Sequence, residues 1–180
     1  KQALETSLLK YMKEYGITNP YMQQALMGVI VAEGGIAGKS ESSWKNTDNS
    51  RIREFFGARV SDTTDTQLEV LKKNDAAFFD KIYGPAAMDH YIKKEGWDPG
   101  NHDKGDGNKY RGRGLNQLTF KSSYAKMQKD LKKRGYDYDL VEHPELLDTD
   151  KELQALVAVN FLSNRLNQIP GLVAKNPTEY

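Results

Sequence analysis

The stretch PYMQQALMGVIVAEGG, residues 20–35, sets the terms for the rest of the chain. Asn19 ahead of it offers a cap oxygen, and Pro20 suits the first helical position, where its missing N–H would go unpaired anyway. Met22, Ala25, Leu26, Val29 and Ile30 recur at the spacing of one buried helical face. Gly34 and Gly35 stop the helix directly after Glu33. The pattern predicts a helix that ends on a single carboxylate, with Val29, Ile30 and Ile36 nearby in sequence. A carboxylate there sits near the negative end of the helix dipole and is partly desolvated, and both effects disfavour ionisation. A raised pKa suits a general acid working near neutral pH; the plain alternative is a solvated glutamate at a helix end.

Working outward, the same texture continues. Leu4, Leu8, Tyr11, Met12 and Tyr15 form one apolar stripe, and Gly16 ends that helix. Ser50 is expected to cap a short helix through Ile52, Phe55 and Phe56, closed by Gly57. Residues 65–83 predict two helices broken near Asn74, and Pro85 opens another that reaches about Glu95. Residues 96–114 then hold six glycines and few aliphatics, which predicts a long loop or a small β-hairpin. Structureless loops of this length are uncommon and often functional. Helices resume near Ser122, with Tyr124, Met127 and Leu131, and end at Gly135. Thr149 and Glu152 form a capping-box pattern ahead of Leu153, Leu156, Val157 and Phe161. The expected fold is mainly α, with a helical lobe over about 1–95, a Gly-rich loop over 96–119 and C-terminal helices over 120–180.

Composition narrows the classes. The 180 residues carry 26 Lys plus Arg against 25 Asp plus Glu, a net charge of +1, so no overall field steers the chain onto nucleic acid or an anionic membrane. No apolar run approaches the roughly 20 residues that span a bilayer. With no cysteine, thiol nucleophiles, disulfides and cysteine zinc sites are excluded. His90, His102 and His143 are scattered, so no metal centre and no cofactor are expected. The near-neutral total hides a polarity: residues 103–134 have a net charge of +7 and residues 135–155 one of −6. Two solvated, mutually attractive faces explain this most simply; a basic loop that attracts an anionic polymer is the functional alternative.

Candidate chemistry gathers in two places. Glu41 follows Glu33 by eight residues, past Gly34, Gly35 and Gly38, an excursion short and flexible enough to bring a second carboxyl opposite the first. Asp48 is the alternative second acid. Two facing carboxyls suit glycoside hydrolysis, and a separation of roughly 6.5–9.5 Å leaves room for a water and implies inversion. The second place is YRGRGLNQLT, residues 110–119. Its glycines let backbone approach a ligand closely, Arg111 and Arg113 suit carboxylates or sugar oxygens, and Tyr110 offers a ring. Gln117 and Thr119, two apart in an extended stretch, are expected to point the same way toward a sugar amide or a water. Trp44 and Trp97 are candidates to stack on sugars, with core tryptophans the equal alternative. The string Asn101–Asn108 lacks the order of a calcium loop.

These residues together resemble a known family. AEGG at 32–35, Glu41, IYG at 82–84, GDGNKYRGRGLNQLTFKSSY at 105–124 and HPELLDTDKELQALVAVNFL at 143–162 are similar to glycoside hydrolase family 19, and nearer its phage endolysin branch than its plant chitinases. The resemblance implies a lysozyme-like, two-lobed helical domain. Glu33 then matches the general acid, Glu41 the second catalytic acid, Gln117 and Thr119 the pair that holds substrate or water, and Tyr124 the tyrosine that closes the motif. The sequence departs from the pattern where Ala32 replaces a histidine, Ser123 an asparagine, and Asn160 an aromatic or aliphatic residue. The implied activity is hydrolysis of β-1,4 bonds in bacterial peptidoglycan glycan strands, without nucleic acid or membrane insertion. The resemblance also implies a phage-encoded catalytic domain of a longer chain, acting from the host cytoplasm or from a virion tail. A chitinase would share every catalytic residue, a lytic transglycosylase would need Glu33 alone, and a non-enzymatic glycan- or nucleic-acid-binding module of a virion is the rival from a different class.

Overall fold

The computed structural model describes residues 2–34 and 40–169, Glu33 by its backbone alone. The fold is mainly helical, and residues 96–114 form a loop with one short helix, Asp106–Lys109, set into it rather than a hairpin. Among the described residues no strand ladder is present, only isolated bridge positions at Arg113 and Leu118. The chain divides into two compact units, and both are discontinuous. The first comprises Lys1–Ser40, Arg113–Gln117 and Met127–Tyr180; the second comprises Glu41–Gly112 and Leu118–Lys126. The division is therefore not the chain-order one expected from sequence, because the helix that opens the described residues packs on one more than a hundred residues further on.

In the first unit, α1 (Gln2–Glu14) buries Leu8, Tyr11 and Met12. Gly16, at φ +75°, terminates it, with Ile17 N–H reaching Met12 O at 2.8 Å. That six-to-one bond needs a left-handed residue, which glycine supplies without a Cβ penalty. α2 (Pro20–Gly34) starts as expected, with Asn19 Oδ1 accepting from Tyr21 N–H at 2.9 Å and Met22 N–H at 3.2 Å. Its buried stripe is narrower than predicted: Leu26 and Ile30 are buried, whereas Ala25 and Val29 are exposed. α9 (Leu146–Thr149) precedes α10 (Lys151–Asn167), which packs against α1 and is buried from Leu153 to Asn160. The cap of α10 is Asp150, accepting from Leu153 N–H at 2.9 Å, and not Thr149, which is the last residue of α9. Glu152 does not reach back to the cap either. It accepts from Tyr11 OH at 2.9 Å and Lys10 at 3.3 Å, tying α10 to α1. Asn160 is structural: Tyr15 OH donates to its Oδ1 at 2.8 Å.

The second unit holds α3 (Asn49–Phe56), α4 (Asp65–Leu71), α5 (Asp75–Tyr83), α6 (Pro85–His90) and α7 (Asp106–Lys109). The break near Asn74 is real: its Oδ1 caps α5 by accepting from Ala77 N–H at 3.1 Å. α3 starts after Asp48, two residues before the expected Ser50, and Phe55 points outward, 52% exposed, under the Arg51 guanidinium. α6 does not run on evenly to Glu95; it widens into a π-turn at Tyr91–Glu95 and closes on left-handed Gly96. Ile52, Phe56, Val60, Leu68, Phe78, Phe79 and Ile82 form the core, with Trp44, Leu71 and Tyr83 packed against it. α8 (Lys121–Lys133) belongs to the second unit up to Lys126 and to the first from Met127.

The Gly-rich loop is held on α5 by two side chains. Asn101, fully buried, donates to Tyr83 O at 2.8 Å and accepts from Lys121 N–H at 2.9 Å, so one amide ties the end of α5 to the start of α8. Asp80 Oδ1 accepts from Gly105 N–H at 2.9 Å and Gly107 N–H at 3.2 Å.

Candidate functional site

Glu41 is the best-defined candidate. Its backbone N–H donates to Gly112 O at 2.7 Å, which ties the segment after residue 40 directly to the RGRG run. Its carboxyl is half-buried beside two donors, Trp44 Nε1 at 3.1 Å and Tyr83 OH at 3.2 Å, both on Oε1. Burial pushes the Glu41 carboxyl above the usual carboxylate range, and the bonds from Trp44 and Tyr83, the Gly112 backbone and the Arg111 charge offset only part of that. The Tyr83 phenol is pushed far up, first by its own burial and then by the charge of Glu41, so it stays a donor at any working pH. The result is an acid whose ionised form is both costly and oriented, the property a proton-exchanging group near neutral pH requires.

Asp48 is the weaker second acid. It is exposed at the start of α3, and its carbonyl is used by Ile52 N–H at 3.1 Å. Glu33 lies at the C-terminal end of α2, as expected; its side chain, and with it the predicted pairing with Glu41, falls outside the described residues.

The motif at 110–119 divides into residues that build it and residues that face out. Tyr110 is 1% exposed and Tyr124 fully buried; their rings pack 5.5 Å apart, and Tyr124 OH donates to Arg111 O at 2.8 Å. Neither offers a face to a polymer, so the expected substrate role gives way to holding the loop. Arg113, 5% exposed, donates from Nε to Asp148 Oδ2 at 3.1 Å, and Ser40 Oγ donates to the other oxygen of Asp148. Its charge is committed within the fold, and Asp148 supplies a direct pairing between the basic and acidic stretches. Arg111, half-buried, donates to Asn108 Oδ1 at 2.6 Å and lies over the Phe79 ring, and its charge reaches Glu41.

Gln117 and Thr119 do not share an extended strand. Residues 114–117 make a turn, Gln117 has φ +49°, and its Nε2 donates to Gly114 O at 3.0 Å, so the alternation assumed from sequence is broken at Gln117. Gln117 is exposed and Thr119 half-buried. Phe120, at φ +77°, follows, with its N–H on Tyr110 O at 2.9 Å.

Trp44 does not present a free face either: its indole packs on Phe55, Phe56 and Phe78, with centroids 5.5, 4.8 and 6.2 Å away, and its N–H serves Glu41. Trp97 remains 40% exposed beside Tyr91 and Phe120. Of the histidines, His102 pairs with Asp98 at 2.9 Å and His143 with Glu145 at 3.0 Å, both at the surface. Among the described residues no group of three His, Asp or Glu side chains could hold a metal ion, and no helix is long and apolar enough to cross a membrane.

Sequence reasoning missed Tyr83 as a partner of Glu41; the only signal was its place in IYG at 82–84. It also missed Asn116, whose Oδ1 and Nδ2 are both buried without hydrogen-bond partners. An unsatisfied buried amide costs about 1–3 kcal/mol. Asn116→Leu is therefore expected to raise stability by about 1–2 kcal/mol, read as a rise in melting temperature; an unchanged or lower value would show that the amide is satisfied in solution.

No family model matches the chain and no curated protein matches it significantly, so neither comparison assigns it to a family.

Proposed function

We propose that this protein is a glycoside hydrolase that cleaves β-1,4 bonds in the glycan strands of bacterial peptidoglycan by acid–base catalysis with inversion. The observation that carries the reading is Glu41: a desolvated carboxyl, held by Trp44 and Tyr83 and joined through its backbone to Gly112 of the RGRG run. Burying a carboxyl this way is unfavourable for the fold, and such costs are concentrated where a protein uses the group. The similarity of Glu33, Glu41 and residues 105–124 to family 19 supplies the substrate class.

In this reading Glu33 protonates the glycosidic oxygen as the leaving sugar departs. Glu41, whose raised pKa makes it a better base than an ordinary carboxylate, takes a proton from the attacking water. Arg111 lends positive charge beside Glu41, which suits the lactyl and peptide carboxylates of peptidoglycan better than neutral chitin.

The test is turbidity loss of peptidoglycan-exposed cells, followed by mass spectrometry and anomeric analysis of the released sugars. Wild type is expected to release reducing-end sugars of inverted configuration, and Glu33→Gln to lose about 10²–10⁴-fold in rate. Anhydro-sugar ends would make the protein a transglycosylase, faster release from chitin oligomers a chitinase, and no release from either a binding module.

A further inference from the structure

We propose that Tyr83 is a positioning residue for Glu41, clamping Oε1 so that Oε2 is the oxygen that exchanges the proton. The inference rests on Glu41 as the base of the proposed reaction. Two donors, Tyr83 OH at 3.2 Å and Trp44 Nε1 at 3.1 Å, converge on the same oxygen. Two hydrogen bonds on one oxygen stabilise charge there and lower its basicity, so the proton belongs on the other. They also fix the plane of the carboxyl, which a lone buried glutamate with three rotatable bonds would not hold by itself.

The phenol is in turn held from several sides. Asn101 donates to the Tyr83 carbonyl at 2.8 Å. The ring lies parallel to Phe79, at 4° and 6.3 Å, and is met edge-on by Phe56 at 6.2 Å and Phe120 at 5.5 Å. Arg59 closes the arrangement. Its guanidinium lies 5.9 Å from the Tyr83 ring, 5.4 Å from Tyr91 and 5.0 Å from Phe56. It also donates to the Tyr91 hydroxyl and to Phe56 O at 3.4 Å. A cation over the ring draws electron density from the phenol and makes its O–H a stronger donor. The groups that act on Glu41 are thus Trp44, Tyr83, the Gly112 backbone and the Arg111 charge, with Tyr91 and Arg59 behind Tyr83.

Tyr83→Phe keeps the ring and its packing and removes only the hydroxyl. The expected result is a fall of about tenfold in kcat with KM unchanged, and an upward move of the acidic limb of the kcat–pH profile, because the ionised carboxylate has lost a donor. A second readout needs no activity: carbon-13 NMR titration of the labelled glutamate carboxyls, with Glu41 assigned by its absence in Glu41→Gln. Its midpoint should rise in Tyr83→Phe. If wild type cleaves glycan and Tyr83→Phe moves neither the limb nor the midpoint, the positioning role is overturned while the glycosidase reading stands. If the midpoint rises but wild type cleaves nothing, the clamp is supported and the glycosidase reading alone falls.

Discussion

Glu41→Gln is expected to lower kcat on cell-wall material by about 10²–10⁴-fold while making the protein more stable at neutral pH. The two effects share one cause. Burial raises the pKa of Glu41 above its unfolded value, so the native state holds that proton more tightly than the unfolded chain does. The group therefore contributes stability that is fully present below the ordinary glutamate range, about pH 4.3, and is lost as pH rises through the higher native value. Glutamine keeps a carbonyl oxygen for Trp44 and Tyr83 but never ionises, so it avoids that loss. Thermal melts of both proteins at about pH 3 and about pH 7 separate the contributions. The stability gain should appear at the higher pH and vanish at the lower one. An equal gain at both would mean that the substitution merely packs better, and a loss at neutral pH would mean that the ionised carboxylate is a structural anchor. Stability gained together with activity lost is the mark of a residue kept for chemistry rather than for the fold.

Much of the fold was legible because helix boundaries are written in local chemistry. Gly16, Asn19–Pro20, Asn74 and Gly135 each act through one or two backbone groups, so sequence alone places them. What failed was decided by distant partners. Thr149 and Glu152 have the form of a capping box, but α1 supplies Lys10 and Tyr11 to Glu152, and Asp150 takes the cap. The chain-order lobes failed for the same reason, since the apolar stripe of α1 is buried against α10, more than a hundred residues away.

At the site, Glu41 was legible as a candidate, but the reason it is held was not. Tyr83 lies 42 residues away and carries no local sign that its hydroxyl meets a carboxyl. The RGRG run read as a ligand surface because arginine and tyrosine in a glycine-rich stretch usually are exposed. Here Arg113 finds Asp148, and Tyr110 packs at a tilt against Tyr124, so half of the motif is internal scaffolding. A pattern of residue types reports which groups a loop owns; which of them it spends on itself depends on what packs beside it.

A large loss of stability is expected at Gly107. A Cβ there would lie 2.4 Å from Phe79 O, 2.6 Å from Asp80 Cα and 2.7 Å from Gly84 N, all backbone, so no side chain can swing away to make room. Gly107→Ala must lift α7 off α5, breaking the bonds from Gly105 and Gly107 to Asp80. Overpacking of this kind costs about 3 kcal/mol, equivalent to a fall of roughly 6–12 °C in melting temperature for a chain of this size. Gly105→Ala is the control. That position has φ +92° with nothing within 4 Å of an added Cβ, so it pays only backbone strain, about 1–2 kcal/mol. The two substitutions also differ in what they pull on. Asn108 follows Gly107 directly and holds Arg111, and Gly112 beyond it holds the backbone of Glu41. Gly107→Ala should therefore reduce activity well below its melting temperature, whereas Gly105→Ala should leave activity intact until the protein unfolds. Equal stability losses in the two variants would show that α7 is not locked to α5 by close backbone contact. Equal activity profiles would show that the path from Gly107 through Arg111 and Gly112 does not set the position of Glu41.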